Sequence, residues 1–358
     1  MAYTTIDDPG LYFNTVTWTG NDNESRDIDG VGFQPDWVWG KRRDDAAGHN
    51  LLDVVRGAGE NGELQSNSNG AEGGGAQDRF GYLSAFLSDG FRVEDGSEAS
   101  GDKAYWNQNS ATYVAWNWKA GGSASSNTDG NVTSSVSVNQ TAGFSIVTYT
   151  GTGSNTTVGH GLGAKPNLIL FKKREGTSNW ITYDSVNTAT SYLHLNLTNA
   201  VASASTIYNN TEPTTSVFTI GTNSHVNTAS GTYLAYCFAE KKGYSRISKY
   251  TGNGSTDGTF VFCGFKPAWV MMKRFDSTND WFIYDNTRNP FNETNLRISA
   301  NQSSAESTQT SNQIDMLSNG FKCRGSAAAT NTSGGTYIFM AFAESPLVNS
   351  NGVPNNAR

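Results

Sequence analysis

Four histidines, three cysteines and three pairs of adjacent cations are the residues with most chemistry to offer in this 358-residue chain. A histidine acting as general base needs a nucleophile within hydrogen-bond reach. No Gly-x-Ser-x-Gly elbow and no His-Glu-x-x-His helix accompanies His49, His160, His194 or His225. The glycine-rich run GHGLGAK (159–165) opens a strand, whereas a phosphate cradle needs helix N-terminal amides, so it reads as a turn. Cys237, Cys263 and Cys323 are an odd, sparse set rather than a disulfide framework, and buried thiols are expected. Acidic residues gather in NDNESRDIDG (21–30) and EDGSEASGD (94–102). There Asp22, Asp27 and Asp29, with Asn23 and Glu24, offer oxygen ligands for Ca²⁺. Their spacing is not that of the twelve-residue calcium loop, and a solvated turn with no cofactor is the plainer expectation. Trp106, flanked by Tyr105, Asn107 and Gln108, lies in a loop and offers a sugar platform: the ring stacks on C–H faces and the amides bond hydroxyls. Trp37, Trp39, Trp116 and Trp118 lie in strand runs and are expected in the core. No acidic pair stands in the apolar setting that glycoside hydrolysis needs, so the chain is expected not to be an enzyme.

The cation pairs are periodic. Pro35, Pro166 and Pro267 each stand six and seven residues before one: Lys41-Arg42, Lys172-Lys173 and Lys273-Arg274. Fourteen residues after each proline come His49, Trp180 and Trp281; at eighteen come Asp53, Asp184 and Asp285; at twenty-nine, Leu64, Leu195 and Leu296. Seventeen residues before each proline an aromatic precedes Thr-Gly, at Trp18, Tyr149 and Tyr250. Each copy closes on an apolar run opening Thr-Tyr: TYVAWNWKA, TYLAYCFAE and TYIFMAFAE. A threefold internal repeat is the first conclusion. His49 occupies a place where the other copies hold tryptophan, which points to packing rather than proton transfer. The aspartates are expected to form cross-strand pairs with the lysines or arginines, fixing register. The competing expectation is that the cations sit exposed at strand ends and deter edge pairing.

Elements able to hold these marks are strands. Runs of four to eight residues rich in Val, Ile, Thr, Tyr, Phe and Trp are bounded by turn clusters, and helical periodicity is almost absent. The charged fraction is only 16% and Trp, Tyr and Phe number 9, 15 and 18, which suits short strands joined by turns. The predicted fold is all-β: three tandem antiparallel β-sandwich, jelly-roll-like repeats. Their expected bounds are 1–118 with large loop insertions, a Gly/Ser/Asn-rich linker at 119–142, then 143–243, 244–348 and an irregular tail at 349–358. A net charge of −7 speaks against a nucleic-acid partner. No apolar run approaches the roughly 20 residues of a membrane helix, and the start MAYTTIDDPG carries no export signal. Synthesis in the cytoplasm is therefore expected.

The phrases GFQPDWVWGKRR, FLSDGFRV, YVAWNWKAGG and YTGNGS resemble a repeated β-rich domain of uncharacterised function. That domain occurs in virion proteins of tailed bacteriophages, mainly of marine bacteria and cyanobacteria. The resemblance covers about residues 10–348; unit two departs most, with GLGAKPNLIL in place of the GFxPxWV phrase. It implies a virion structural protein made in the bacterial host, a short tail fibre or appendage or a head decoration. Other virion proteins, further copies of itself and a host-surface glycan are the implied partners. A cement protein without host binding and a glycan-cleaving appendage are the alternatives. The resemblance brings no catalytic residues.

Overall fold

The computed structural model describes residues 3–73 and 77–354 and is all-β, with several antiparallel sheets. Twelve strands carry or flank the repeat marks. In chain order they are β1 (Phe13–Thr19), β2 (Trp37–Arg42), β3 (His49–Asp53), β4 (Thr112–Trp118), β5 (Phe144–Thr150), β6 (Leu168–Lys173), β7 (Ile181–Asp184), β8 (Thr232–Phe238), β9 (Ser245–Thr251), β10 (Phe265–Arg274), β11 (Trp281–Asp285) and β12 (Thr336–Pro346). The same antiparallel order occurs three times: β1-β4-β2-β3, β5-β8-β6-β7 and β9-β12-β10-β11. In each sheet the opening strand pairs with the closing one, so that Trp18 faces Tyr113, Tyr149 faces Tyr233 and Tyr250 faces Tyr337. Those ring pairs stack with centroids 5.3, 5.2 and 4.8 Å apart, a cross-strand aromatic contact that fixes register.

A smaller antiparallel sheet packs on one face of each main sheet. It is made of Ser25–Asp29, Gly90–Glu94 and Tyr82–Leu87 in the first unit, of Thr156–Gly159 and Val217–Ile220 in the second, and of Phe260–Phe262, Gly320–Cys323 and Ile314–Leu317 in the third. Three separate apolar clusters fill the space between the sheet pairs. A fourth cluster lies at the centre and draws on all three units. The closing strands explain both. Their alternate residues point to opposite faces: Tyr113 and Ala115 enter the first unit's own cluster, while Val114, Trp116 and Trp118 enter the central one. Likewise Leu234, Tyr236 and Phe238, and Ile338, Met340 and Phe342, turn to the centre. Continuous apolar runs thus serve two cores at once.

Two expectations need correction. The segment 119–142 is not a flexible linker, because it supplies the strands Ser125–Asn127 and Ser134–Asn139 to the second unit's sheet. Its Ser/Asn content hides an alternation in which Val136 is buried against the second unit's core. The loop 21–30 is not simply a solvated turn either, since Ser25–Asp29 pairs with Gly90–Glu94. Of the tail, residues 349–354 make a turn closed by the Asn349 N–H on the Val353 carbonyl at 2.9 Å, and 355–358 lie outside the described residues.

Candidate functional site

The chemistry-bearing residues converge on three joints between units. Cross-strand Lys/Arg–Asp pairs do not form. In the antiparallel hairpins Lys41 stands opposite His49 and Lys273 opposite Trp281, whereas Asp53 stands opposite Trp37 and Asp285 opposite Trp269. Lysine and aspartate are therefore at opposite ends of the hairpin, roughly 13 Å apart at about 3.3 Å per residue.

Aspartate finds its cation three residues on. Asp53 and Arg56 lie 2.6 Å apart, as do Asp285 and Arg288, and all four side chains are fully buried. Each arginine reaches a second carboxylate: Arg56 to Glu72 at 3.3 Å, Arg288 to Glu306 at 2.7 Å. Those glutamates then bind arginines of the neighbouring unit. Glu72 takes Arg174 of the second unit, and Glu306 takes Arg43 of the first with contacts of 2.9 and 3.1 Å. A neutral donor completes each set, the Tyr236 hydroxyl to Asp53 at 2.8 Å and the Trp116 indole N–H to Asp285 at 2.9 Å. Burial works against the charge of Arg56 and Arg288, but the carboxylates around them more than offset it and hold both pKa values above the ordinary one.

The third joint has the same backbone and none of the charge beyond its aspartate. Glu72 N–H bonds the Arg174 carbonyl at 2.7 Å, Glu306 N–H the Arg43 carbonyl at 2.7 Å, and Val201 N–H the Phe275 carbonyl at 2.8 Å. Val201 thus replaces glutamate and Phe275 replaces arginine. Asn187 stands for Arg56 and Arg288, and donates to both oxygens of Asp184 at 3.1 Å. Met340 occupies the closing-strand place of Trp116 and Tyr236 and carries no donor. Val201 and Phe275 instead pack on the central core. With no cation beside it, burial pushes the pKa of Asp184 up.

Second contacts run round the ring in the other sense. Trp180 donates its indole N–H to the Gln65 carbonyl and Trp281 to the His194 carbonyl, both at 2.8 Å. His49 does the same work: Nε2–H donates to the Ser299 carbonyl at 3.0 Å, while Nδ1 accepts the Trp39 indole N–H at 2.8 Å. Burial, aided by Lys41, pulls its pKa to about 3, so the ring is neutral. Lys172 and Lys273 are buried and donate to backbone carbonyls, among them Ser178 at 2.9 Å and Thr198 at 2.9 Å; Lys41 donates to the Arg42 carbonyl at 2.5 Å. Burial lowers the pKa of each of the three lysines to about 8. Their neighbours turn outward, Arg42 to Asp44 at 3.2 Å and Arg274 to Asp276 at 2.7 Å, while Lys173 is half-buried.

Other predicted residues are placed as follows. Trp106 is 1% exposed, not a platform; it stacks near Trp18 and fills the space above Gly40, where an added Cβ would stand 2.5 Å from its ring. Tyr105 packs on Phe80 and Gln108 accepts from Arg42 at 2.6 Å. Asn107 is a buried tie: its amide donates to Asn21 Oδ1 and the Asn23 carbonyl, each at 2.9 Å, and accepts from the Asn21 N–H at 3.2 Å. Asn227 and Asn331 make the equivalent ties to Thr152 and Asn253 at 2.6 and 3.0 Å. All three stand six residues before the closing Tyr113, Tyr233 and Tyr337, a spacing that would have found them. Asp27 is held by Arg92 at 2.6 and 3.1 Å, Asp22 adopts φ 64°, and Asp29 is exposed beside Gly90. Among the described residues no three His, Cys, Asp or Glu side chains gather as a metal site, and no helix is long and apolar enough to cross a membrane. All three cysteines are buried thiols, with Cys323 pushed up to about 12 by burial.

Fold and joints together define an all-β protein whose recurring charged residues are committed to contacts between parts of one chain. The chain belongs to the family described as a domain of unknown function, DUF7483, which matches residues 8–346 in a single span that takes in all three units. Among curated proteins none matches the chain.

Proposed function

We propose that this protein is a non-enzymatic structural component of a bacteriophage particle surface, a short tail appendage or head decoration, with host-glycan attachment as a further duty. Its three tandem sandwich units form a ring closed within one chain. The observation that carries the reading is the fate of the repeated ionisable residues. Asp53, Arg56, Asp285 and Arg288 are fully buried in joints between units, where they hold a body rigid rather than meet a substrate. The sequence resemblance to virion proteins supplies the setting. Head-to-tail contacts that close a ring use up the faces they join. Binding to other particle proteins or to further copies therefore falls to the outer surface. The protein would be made in the bacterial cytoplasm and incorporated there. Electron microscopy of purified particles, with the protein confirmed by mass spectrometry, tests this. Density on the head shell or at an appendage is expected. Absence from the particle, or turnover of a polysaccharide by the purified protein, overturns it.

A further inference from the structure

A pocket with charged walls lies apart from the joints. It lies where the chain's first described residues cross the start of the third unit, and it encloses about 380 Å³. Tyr3, Glu240, Lys242, Arg246 and Phe262 line it. That volume falls within the roughly 300–1,000 Å³ of small-molecule sites. Its wall is built by close approach at two glycines. A Cβ on Gly264 would stand 2.8 Å from the Tyr3 hydroxyl oxygen, and one on Gly243 would stand 2.8 Å from Thr4 Cβ. Both glycines have positive φ, 83° and 80°. The Tyr3 hydroxyl donates to the Gly264 carbonyl at 2.8 Å, and the Lys242 ammonium sits 4.3 Å from the centre of the Tyr3 ring.

The lining chemistry is not what the shared scaffold requires. Register places Arg246 where the other units hold Asn14 and Ser145. Phe262, five residues before its proline, stands where they hold Gly30 and Gly161, both at positive φ. Phe262 is 49% exposed, an unusual place for a large ring. The Arg246 Nε is buried and has no hydrogen-bond partner. A buried donor on a cation left unmade is costly, and the remainder of the Arg246 side chain lines the cavity. Glu240 accepts the Ile247 N–H at 2.6 Å. Burial raises the Glu240 pKa, while the Ile247 N–H and Arg246 work against that shift.

We propose that this pocket binds a carboxylate-bearing sugar unit, its carboxylate on Arg246 and Lys242 and a C–H face on the Phe262 ring. Guanidinium recognises carboxylate through paired N–H donors, an aromatic face takes apolar sugar surface, and Glu240 offers an acceptor to a hydroxyl. The assignment rests on the attachment part of the proposed function, and it names the class of glycan.

The test titrates the full chain with methyl glucuronide and, as the neutral control, methyl glucoside, followed by protein NMR and calorimetry. Glucuronide should bind at least about tenfold more tightly than glucoside, and more weakly as salt rises. Arg246→Gln should weaken glucuronide by about tenfold or more. Lys242→Ala and Phe262→Ser alter exposed side chains, so they carry the test if Arg246→Gln fails to fold, and each should weaken binding. Equal binding of the two sugars, no binding, or unchanged affinity in well-folded variants overturns the proposal. These outcomes concern the isolated protein; the microscopy decides separately whether it belongs to a particle.

Discussion

A carboxylate buried without its cation costs several kcal/mol, so the three aspartates at the joints set the local chemistry around them. Asp53 and Asp285 each hold an arginine within 2.6 Å, while Asp184 makes do with Asn187 and a raised pKa. Arg288→Met should therefore destabilise the protein by about 3–5 kcal/mol, because Asp285 and Glu306 are left at the joint without the cation they share. Asn187→Met should cost only about 1–2 kcal/mol, the loss of an amide donor to a group that protonates more readily. Guanidinium unfolding of both variants checks this; equal losses would refute it. The aspartates themselves were legible from spacing. Their arginines were not, because the second unit holds Asn187 at that position and breaks the pattern. Histidine gives a second residue-scale prediction. The His49 pKa is lowered to about 3 by burial, against about 6.5 in an unfolded chain. The unfolded state then binds more protons between those values, so stability is present above pH 6.5 and is lost as pH falls toward 3. His49→Gln keeps a donor for Ser299 and an acceptor for Trp39 but cannot titrate. Between pH 6.5 and 4 its stability should fall less steeply, by up to about 1.4 kcal/mol per pH unit. Thermal melts across that range, on both proteins, would show it.

At the scale of elements, each main sheet is pinned at the turn that follows its opening strand. Gly20, Gly151 and Gly252 lie so close to the facing chain that a Cβ would stand 2.0, 2.3 and 2.3 Å from the carbonyl oxygens of Gln108, Thr228 and Thr332. Those carbonyls belong to the residues next to the buried Asn107, Asn227 and Asn331. The N–H of the same residues bonds the closing tyrosine hydroxyl, at 2.9, 2.6 and 2.9 Å. Thr-Gly recurs because only hydrogen fits there, and the tyrosine recurs because its hydroxyl and its ring both have partners. Gly252→Ala must push the chain away from Thr332 and open the Asn331 tie; a loss of about 1–3 kcal/mol is expected, as for other overpacked sites. Amide exchange should speed up in β9 and β12 before other strands. Protection unchanged in those two would count against the tie. Strands were legible wherever β-branched and aromatic residues ran together. The strand Ser134–Asn139 was not, because its few valines are outnumbered by serine and asparagine, and composition outweighed period.

At the scale of the molecule, the sequence told of three copies but not of what lies between them. A continuous apolar run shows that a strand has two buried faces, but it cannot say whether the second face meets the same unit or a foreign one. Here it meets a foreign one: Trp37 of the first unit stacks on Tyr236 of the second at 4.3 Å, and Phe13 of the first on Phe342 of the third at 5.0 Å. Each unit alone would leave half of its main sheet's apolar residues in water, so the units should not melt separately. Calorimetry should record one transition, with calorimetric and van't Hoff enthalpies in agreement. Leu234 sharpens the test, because it is fully buried in the central core and belongs to the second unit. Leu234→Ala should cost about 2–5 kcal/mol and lower the whole transition. The first unit holds Trp37, Trp39, Trp116 and Trp118, so its tryptophan fluorescence should lose structure at the same lowered temperature as the backbone signal of the entire chain. A first-unit transition that stayed at its original temperature would mean that the central cluster joins the units without coupling them.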